Sequence, residues 1–396
     1  TPVIAFEILR RKAAGGINFT ASHNPPLYNG IKFSPAWGGP ALPETTQTIE
    51  ARVNGKEPVV VKIAKADEAI KSGLIKYIDP KPAYIKRIKE LVDIKAIKKA
   101  KLHVATDVLY GTGAGYLDAI IEVAGVRQKV LHNWRDVMFG GSAPEPNQQN
   151  LKELTSVVRK EACNLGVATD GDGDRFGFID SDGSFINPNE TIAVLLYHLI
   201  KNRGVKSGVV ARSVMTTHLI DKVANKFGLE VKETPVGFKY IGEILVHEGK
   251  NFIIGGEESG GLTIGGHVPE KDGILACMLM VEMIAMSKKP IRKMLAEIEK
   301  LVGVVLSDRL NFHLTVDEMD ALRVRLRESH PSEFAGIKVA GVVTLDGYKY
   351  VLADGSWLGV RLSGTEPVVR LYIETDCAAK MKKLIVSGKK FIIKGK

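Results

Sequence analysis

Three aspartates at alternate positions, in Asp170-Gly171-Asp172-Gly173-Asp174, constrain this chain more than any other stretch. Carboxylates packed so closely repel one another unless a cation neutralises them. The glycines between them allow a turn tight enough to aim all three at one centre. Oxygen-only donors select a hard divalent ion, Mg2+ ahead of Zn2+. Leu165, Val167 and Ala168 read as the end of a buried strand, so the turn belongs at a sheet edge. A calcium loop of the EF-hand type fits poorly. With Asp170 as first ligand, the sixth position is Arg175 rather than glycine and the twelfth is Ser181 rather than glutamate. An acidic surface turn remains the bland alternative. Arg175, directly after the acids, suits a site that also handles phosphate, the metal taking one group and the guanidinium another.

Other polar turns follow predicted strands. Thr20-Ala-Ser22-His23-Asn24-Pro25-Pro26 follows a short strand from Ile17, and its prolines keep it from becoming helix. A serine on such a turn suits a nucleophile, although a surface turn has the same composition. Tyr110-Gly-Thr-Gly-Ala-Gly115 joins a strand to a helix; as a dinucleotide fingerprint it lacks the third glycine, so close helix–strand packing is the expected role. Gly255-Gly256-Glu257-Glu258-Ser259-Gly260-Gly261 brings acids and a hydroxyl together, as polyol binding requires, or is a flexible surface loop. Arg361, Ser363, Thr365 and the Gly364 N–H read as a compact anion site between two strands.

The 396 residues suffice for two to four domains. Their 55 Lys+Arg against 45 Asp+Glu give +10, which fits an anionic small substrate; the basic residues are not clustered with aromatics as a nucleic-acid surface requires. Cys163, Cys277 and Cys377 lie far apart without a CxxC, which points to a reducing, cytoplasmic setting and away from disulfides. The longest apolar run, Ile274 to Met286, is interrupted by Glu282 and too short to span a bilayer.

Taken in order, TASHNP at Thr20–Pro25, DGDGDR at Asp170–Arg175, GEESGG at Gly256–Gly261 and RLSGTEP at Arg361–Pro367 resemble the α-D-phosphohexomutase family, the phosphoglucomutases and phosphomannomutases. The resemblance spans nearly the whole chain. It implies an α/β fold of three successive βα sandwich domains of shared topology, the first incomplete, plus a C-terminal α+β lid. The expected domains are residues 1–78, 79–183, 184–303 and 304–396. It implies interconversion of hexose 1- and 6-phosphates through phosphorylated Ser22 and a hexose 1,6-bisphosphate. Asp170, Asp172 and Asp174 would hold Mg2+ together with an oxygen of phosphorylated Ser22. Lys32, ten residues after Ser22, matches the lysine beside the nucleophile. Lys271 resembles a proposed general base, His23 would orient the serine turn, and Arg175 would contact the phosphorylated centre. Glu257 and Ser259 would grip sugar hydroxyls, and Arg361, Ser363, Gly364 and Thr365 the phosphate that is not reacting. Hexose phosphates are the expected partners, with no nucleic acid or membrane, and a monomer or homodimer as the assembly.

Two departures qualify the resemblance. The family has a glycine-rich N-terminal segment with an active-site arginine, and nothing here matches it, so an opening strand is expected to be missing. Mannose-type and dual-specificity members often carry histidine two residues after the sugar-turn serine; Gly261 stands here, which tilts the reading toward glucose. A non-catalytic sugar-phosphate-binding chain and a metal-dependent phosphatase with a phosphoserine intermediate are the alternatives of other classes.

Overall fold

The structure, a computed structural model, describes residues 1–55, 62–363 and 367–393. Two sheets share one strand plan. In the five-stranded sheet, β4 (Arg127–Leu131) and β5 (Leu165–Thr169) run parallel on either side of β3 (His103–Asp107). Beyond β5 come β6 (Phe176–Asp180) and β7 (Phe185–Ile186), both antiparallel to their neighbours, in the order β4-β3-β5-β6-β7. The four-stranded sheet repeats this plan: β8 (Val209–Ser213) is flanked in parallel by β9 (Glu230–Thr234) and β10 (Phe252–Glu257), and β11 (Gly261–Ile264) pairs antiparallel with β10. Near the N-terminus, the helix Pro2–Arg11 leads into an antiparallel ribbon of β1 (Gly15–Phe19) and β2 (Ile31–Pro35). That is the helix-then-hairpin ending of the same unit.

A six-stranded sheet differs in kind. Its order is β12 (Leu306–His313), β17 (Val368–Thr375), β16 (Trp357–Leu362), β15 (Tyr348–Leu352), β14 (Ile337–Val343) and β13 (Glu333–Phe334). Every pairing in it is antiparallel. The helices Val316–Glu328 and Ala378–Ile393 contribute Leu322, Leu326 and Leu384 to its separate core. Asp346-Gly347 and Asp354-Gly355 form the β14–β15 and β15–β16 turns, as their composition predicts. The architecture is thus multi-domain α/β.

The helix Gly273–Ser287 joins the two βα sheets. It is apolar all round and buried from Gly273 to Ala285, as a helix inside a core must be. Asp272 caps its start by accepting from Leu275 N at 2.9 Å. Glu282, the charge inside the apolar run, is fully buried. It accepts from Arg203 Nε (2.6 Å), His198 Nε2 (3.2 Å) and Asp93 N (2.9 Å), so residues from both sheets' surroundings meet on one carboxylate. Among the described residues no helix is long and apolar enough to cross a membrane.

Candidate active site

Four of the five polar turns singled out in the sequence connect antiparallel neighbours, β1–β2, β5–β6, β10–β11 and β16–β17, while Tyr110–Gly115 connects β3 to a helix. Only β5 and β10 are also parallel-sheet strands, so the sites sit on hairpins rather than simply on strand-to-helix loops. The Gly255-Gly256-Glu257 part of the sugar turn is strand, which shortens the connection to Glu258-Ser259-Gly260.

The serine and aspartate turns touch. Ser22 has φ +59°, a left-handed conformation rare for residues with a side chain, and its N–H donates to Thr20 Oγ1 at 2.9 Å. The Thr20 hydroxyl in turn donates to Asp172 Oδ1. A Cβ at Gly171 would lie 2.7 Å from the Ser22 carbonyl oxygen, so this approach needs glycine there. The glycine-rich segment before the helix Leu117–Val123 packs against this turn, Thr112 N donating to Gly171 O at 2.9 Å. The close approach of this segment is to the aspartate turn, whereas the sequence predicts helix–strand packing.

The carboxylates converge. Asp170 Oδ1 accepts from the N–H groups of Asp174 (2.9 Å) and Arg175 (3.1 Å). Lys32 Nζ donates to Asp172 Oδ2 at 2.5 Å and stands 4.0 Å from Asp174 Oδ2. Lys271 Nζ stands 3.2 Å from the same Asp174 oxygen. Among the described residues, Asp170 Oδ2 and both Asp174 oxygens are nevertheless buried without a hydrogen bond. Burial, with the charge of Asp174 second, pushes the Asp170 carboxyl up to about 7. Burial also opposes ionisation of Asp174, but Lys271 and Lys32 outweigh it and hold that carboxyl far below the usual range. Buried oxygens lacking donors, on an oxygen-only set with cations already drawn to it, fit a hard divalent ion.

Around this centre, His23 Nδ1 lies 3.4 Å from Ser22 Oγ. Burial first, then Arg175, lowers its imidazole to about 4, so it is neutral near pH 7 and suits an orienting contact. Among the described residues Arg175 Nε is buried without a hydrogen-bond partner, and its Nη1 stands 3.6 Å from Glu145 Oε1. Burial disfavours charge on Lys271, yet Asp174 and Glu270 raise its pKa overall, so here it is an ammonium; a base role requires that Asp174 first give its charge to a cation. Glu145, Glu270 and the Thr20 hydroxyl escaped the sequence reading. Thr20 at least lies inside the serine motif; nothing in spacing singles out the other two.

The sugar turn joins this assembly through the main chain. Arg175 and Gly261 form an antiparallel bridge, and Phe176 N donates to Gly260 O at 3.1 Å. A Cβ at Gly261 would lie 2.2 Å from Lys271 Cδ, so the lysine stem passes where a side chain would stand. Glu257 is buried and accepts from Gly237 N at 2.7 Å. Burial first, then Glu258, pushes its carboxyl up to about 7. Glu258 turns inward, its Oε2 accepting from Ser213 Oγ (2.9 Å) and Thr216 Oγ1 (3.2 Å). Ser22 and Asp172 line a cavity of about 1130 Å3 beside the β1–β2 ribbon. Arg175 and Ser259 line another of about 640 Å3, closed on one side by Arg309, Trp357 and Tyr372 of the six-stranded sheet.

Arg361 and Ser363 lie at the end of β16; Gly364 and Thr365 lie outside the described residues. Arg361 Nε donates to Asp346 Oδ1 at 3.0 Å, and Asp346 Oδ2 accepts from Val236 N at 3.0 Å, one residue before the N–H that holds Glu257.

Profiles of four phosphoglucomutase/phosphomannomutase domains match in chain order. The α/β/α domains I, II and III match residues 1–59, 82–183 and 187–301, and the C-terminal domain matches 321–387. A phosphoglucomutase/phosphomannomutase of Thermococcus kodakarensis is 31% identical over 392 residues, which are 99% of this chain and 81% of that protein. The chain belongs to the phosphoglucomutase/phosphomannomutase family. It is accordingly a phosphohexomutase, an intramolecular phosphotransferase. A phosphoglucosamine/phosphogalactosamine mutase of Sulfurisphaera tokodaii is 30% identical, covering all of this chain and 84% of that one. The crystal structure of a Thermus thermophilus protein assigned as a phosphomannomutase superposes with a TM-score of 0.83 at 32% identity, over 99% of this chain and 81% of its own. Relatives of this phosphohexomutase therefore carry the names of several sugars.

Proposed function

We propose that this phosphohexomutase interconverts glucose 1-phosphate and glucose 6-phosphate through phosphorylated Ser22. The observation that carries the reading is the convergence of the Ser22 turn, three carboxylates, of which Asp170 and Asp174 have buried oxygens without a hydrogen bond among the described residues, and the cations Lys32, Lys271 and Arg175. Asp170, Asp172 and Asp174 would hold Mg2+, which when bound neutralises charge on the phosphoryl group being transferred. Phosphorylated Ser22 gives its phosphoryl group to the free hydroxyl of a hexose monophosphate, forming the 1,6-bisphosphate and freeing the Ser22 hydroxyl. The bisphosphate turns over, and its other phosphate passes back to Ser22. Lys32, Lys271 and Arg175 offset negative charge as it shifts between oxygens. Glu257 and Ser259 read sugar hydroxyls, while Arg361, Ser363, Gly364 and Thr365 hold whichever phosphate is not reacting. Arginine and hydroxyl donors suit that task because they read phosphate rather than sugar. The four domains, at residues 1–78, 79–183, 184–303 and 304–396, each contribute one turn, and a cytoplasmic enzyme is expected.

Gly261 supports glucose, because the family resemblance leads us to expect histidine there in mannose-type and dual-specificity members. A second reading, dual glucose and mannose specificity, is favoured by the double name of the Thermococcus kodakarensis relative. The test is conversion of glucose 1-phosphate with Mg2+ and a trace of glucose 1,6-bisphosphate, beside mannose 1-phosphate and glucosamine 1-phosphate. Turnover fastest on glucose supports the lead reading, and equal rates on mannose support the second. Ser22→Ala is expected to abolish turnover; a near-normal rate in that variant removes Ser22 from the mechanism. Release of inorganic phosphate in place of isomerisation would indicate a phosphatase.

A further inference from the structure

At the other edge of the five-stranded sheet, about 20 Å along β5 from Asp170, a different set of donors meets. Cys163 Sγ lies 3.8 Å from His103 Nδ1 and 3.9 Å from Nε2, and His103 Nε2 lies 3.6 Å from Glu161 Oε2. One ligand atom from each residue falls within 4.8 Å of the others. We propose that His103, Glu161 and Cys163 form a site for a thiophilic divalent cation of the Zn2+ class, with water completing four-coordination, separate from the aspartate turn.

The framework is built before any ion arrives. Asn164 N donates to His103 O (2.7 Å) and Asn164 Oδ1 accepts from His103 N (2.8 Å), which fixes the two strand starts side by side. Ala162, at φ +47°, turns the chain at the end of the helix Lys152–Lys160 and sends Cys163 inward, where it is only 2% exposed. Glu161, with a side chain 36% exposed, leaves the outer side open to water. Tetrahedral zinc, with bonds of about 2.3 Å to sulfur and about 2.0 Å to nitrogen, separates those donors by about 3.5 Å. The observed spacings are a few tenths wider, within reach of small side-chain shifts. Imidazole and thiolate select Zn2+ over Mg2+. One thiolate and one carboxylate also bring a divalent ion to zero net charge, which suits a half-buried place. Burial first, then Glu161, pushes the Cys163 thiol up, while Arg127, opposite His103 in the β3–β4 ladder, favours the thiolate. Binding releases the thiol proton and ties the helix end to the start of β3.

Co2+ is the probe, added to the full chain under reducing, Mg2+-saturated conditions so that the aspartate turn is already filled. One Co2+ per chain should bind with a thiolate-to-cobalt charge-transfer band, which Zn2+ then displaces. Cys163→Ala and His103→Ala should lose the band; Cys377→Ala and Asp172→Asn should keep it. Should Cys163→Ala fail to fold, Glu161→Gln serves, with affinity expected to fall about tenfold or more and the Zn2+-induced rise in melting temperature to shrink accordingly; an unchanged affinity overturns the proposal. A folded wild type without the band overturns the proposal, as does a band that survives Cys163→Ala or disappears with Cys377→Ala.

Discussion

At the residue scale, burial does most of the chemical tuning. Asp172 accepts from Lys32 and Thr20, while its neighbours Asp170 and Asp174 keep bare oxygens. Asp172→Asn removes one of three charges that face the proposed cation centre. The Mg2+ concentration for half-maximal activity should rise about tenfold or more; an unchanged Mg2+ dependence would sink the role given to this turn. Glu257 offers a pH signature. Its carboxyl is raised to about 7 by burial and by Glu258, so it is protonated below that pH and charged above it. Only the carboxylate accepts from sugar hydroxyls with both oxygens. At saturating Mg2+, KM for the hexose phosphate should therefore fall as pH rises through about 7, and Glu257→Gln should flatten that profile. A mutant retaining the wild-type slope assigns the titration elsewhere.

At the element scale, one hairpin recurs with different cargo. The β1–β2 turn carries Ser22, the β5–β6 turn the three aspartates, and the β10–β11 turn Glu258 and Ser259, with Glu257 at the end of β10. The sequence shows each turn because glycine reaches backbone shapes closed to other residues, proline fixes its own, and aspartate hydrogen-bonds back to the nearby main chain. It hides the repeat because strands of one plan can be filled by any apolar residues, and β5 (LGVAT) and β10 (FIIGGE) share no pattern. Helix positions were legible for the same physical reason as the turns. Asp272 and the box of Asn187 with Glu190 are caps whose residue types announce them. What could not be read were contacts between distant segments, such as Glu258 on Ser213 and Thr216, since a carboxylate pointing inward has the same spelling as one pointing at a ligand. The Gly261 contact is of that kind and makes a prediction. Gly261→His must displace the Lys271 stem, so it should lower kcat/KM on every hexose phosphate by about tenfold or more rather than merely exchange glucose for mannose. A clean switch of preference at full activity would show that Lys271 can give way.

At the scale of the molecule, the two βα sheets are locked by Glu282 and its partners, whereas the six-stranded sheet is held by a smaller polar contact. Lys349 is 1% exposed; it donates to Val214 O at 2.7 Å, stands 2.7 Å from His218 Nε2 and lies over the Trp357 ring at 4.4 Å. Glu374 accepts from Trp357 Nε1 at 2.9 Å and His218 N at 3.1 Å, and from the Thr217 hydroxyl. Burial first, then Arg212, lowers the Lys349 amine to about 8, with Glu233 opposing. Between about 8 and its ordinary 10.5 the unfolded chain binds a proton that the folded chain does not. Stability from this group therefore rises with pH across that window. The melting temperature of wild type relative to Lys349→Met should increase from about pH 8 to about pH 10, and parallel curves would refute the assignment. The bridge between Arg175 and Gly261 has a different consequence. It is made by main-chain atoms, so replacing a side chain that is not glycine, such as Ser259, leaves its bonds in place. Evolutionary drift can then change side chains of the β10–β11 turn while its distance from the aspartate turn stays constant, so the proposed sugar preference can shift without disturbing the proposed phosphoryl-transfer residues.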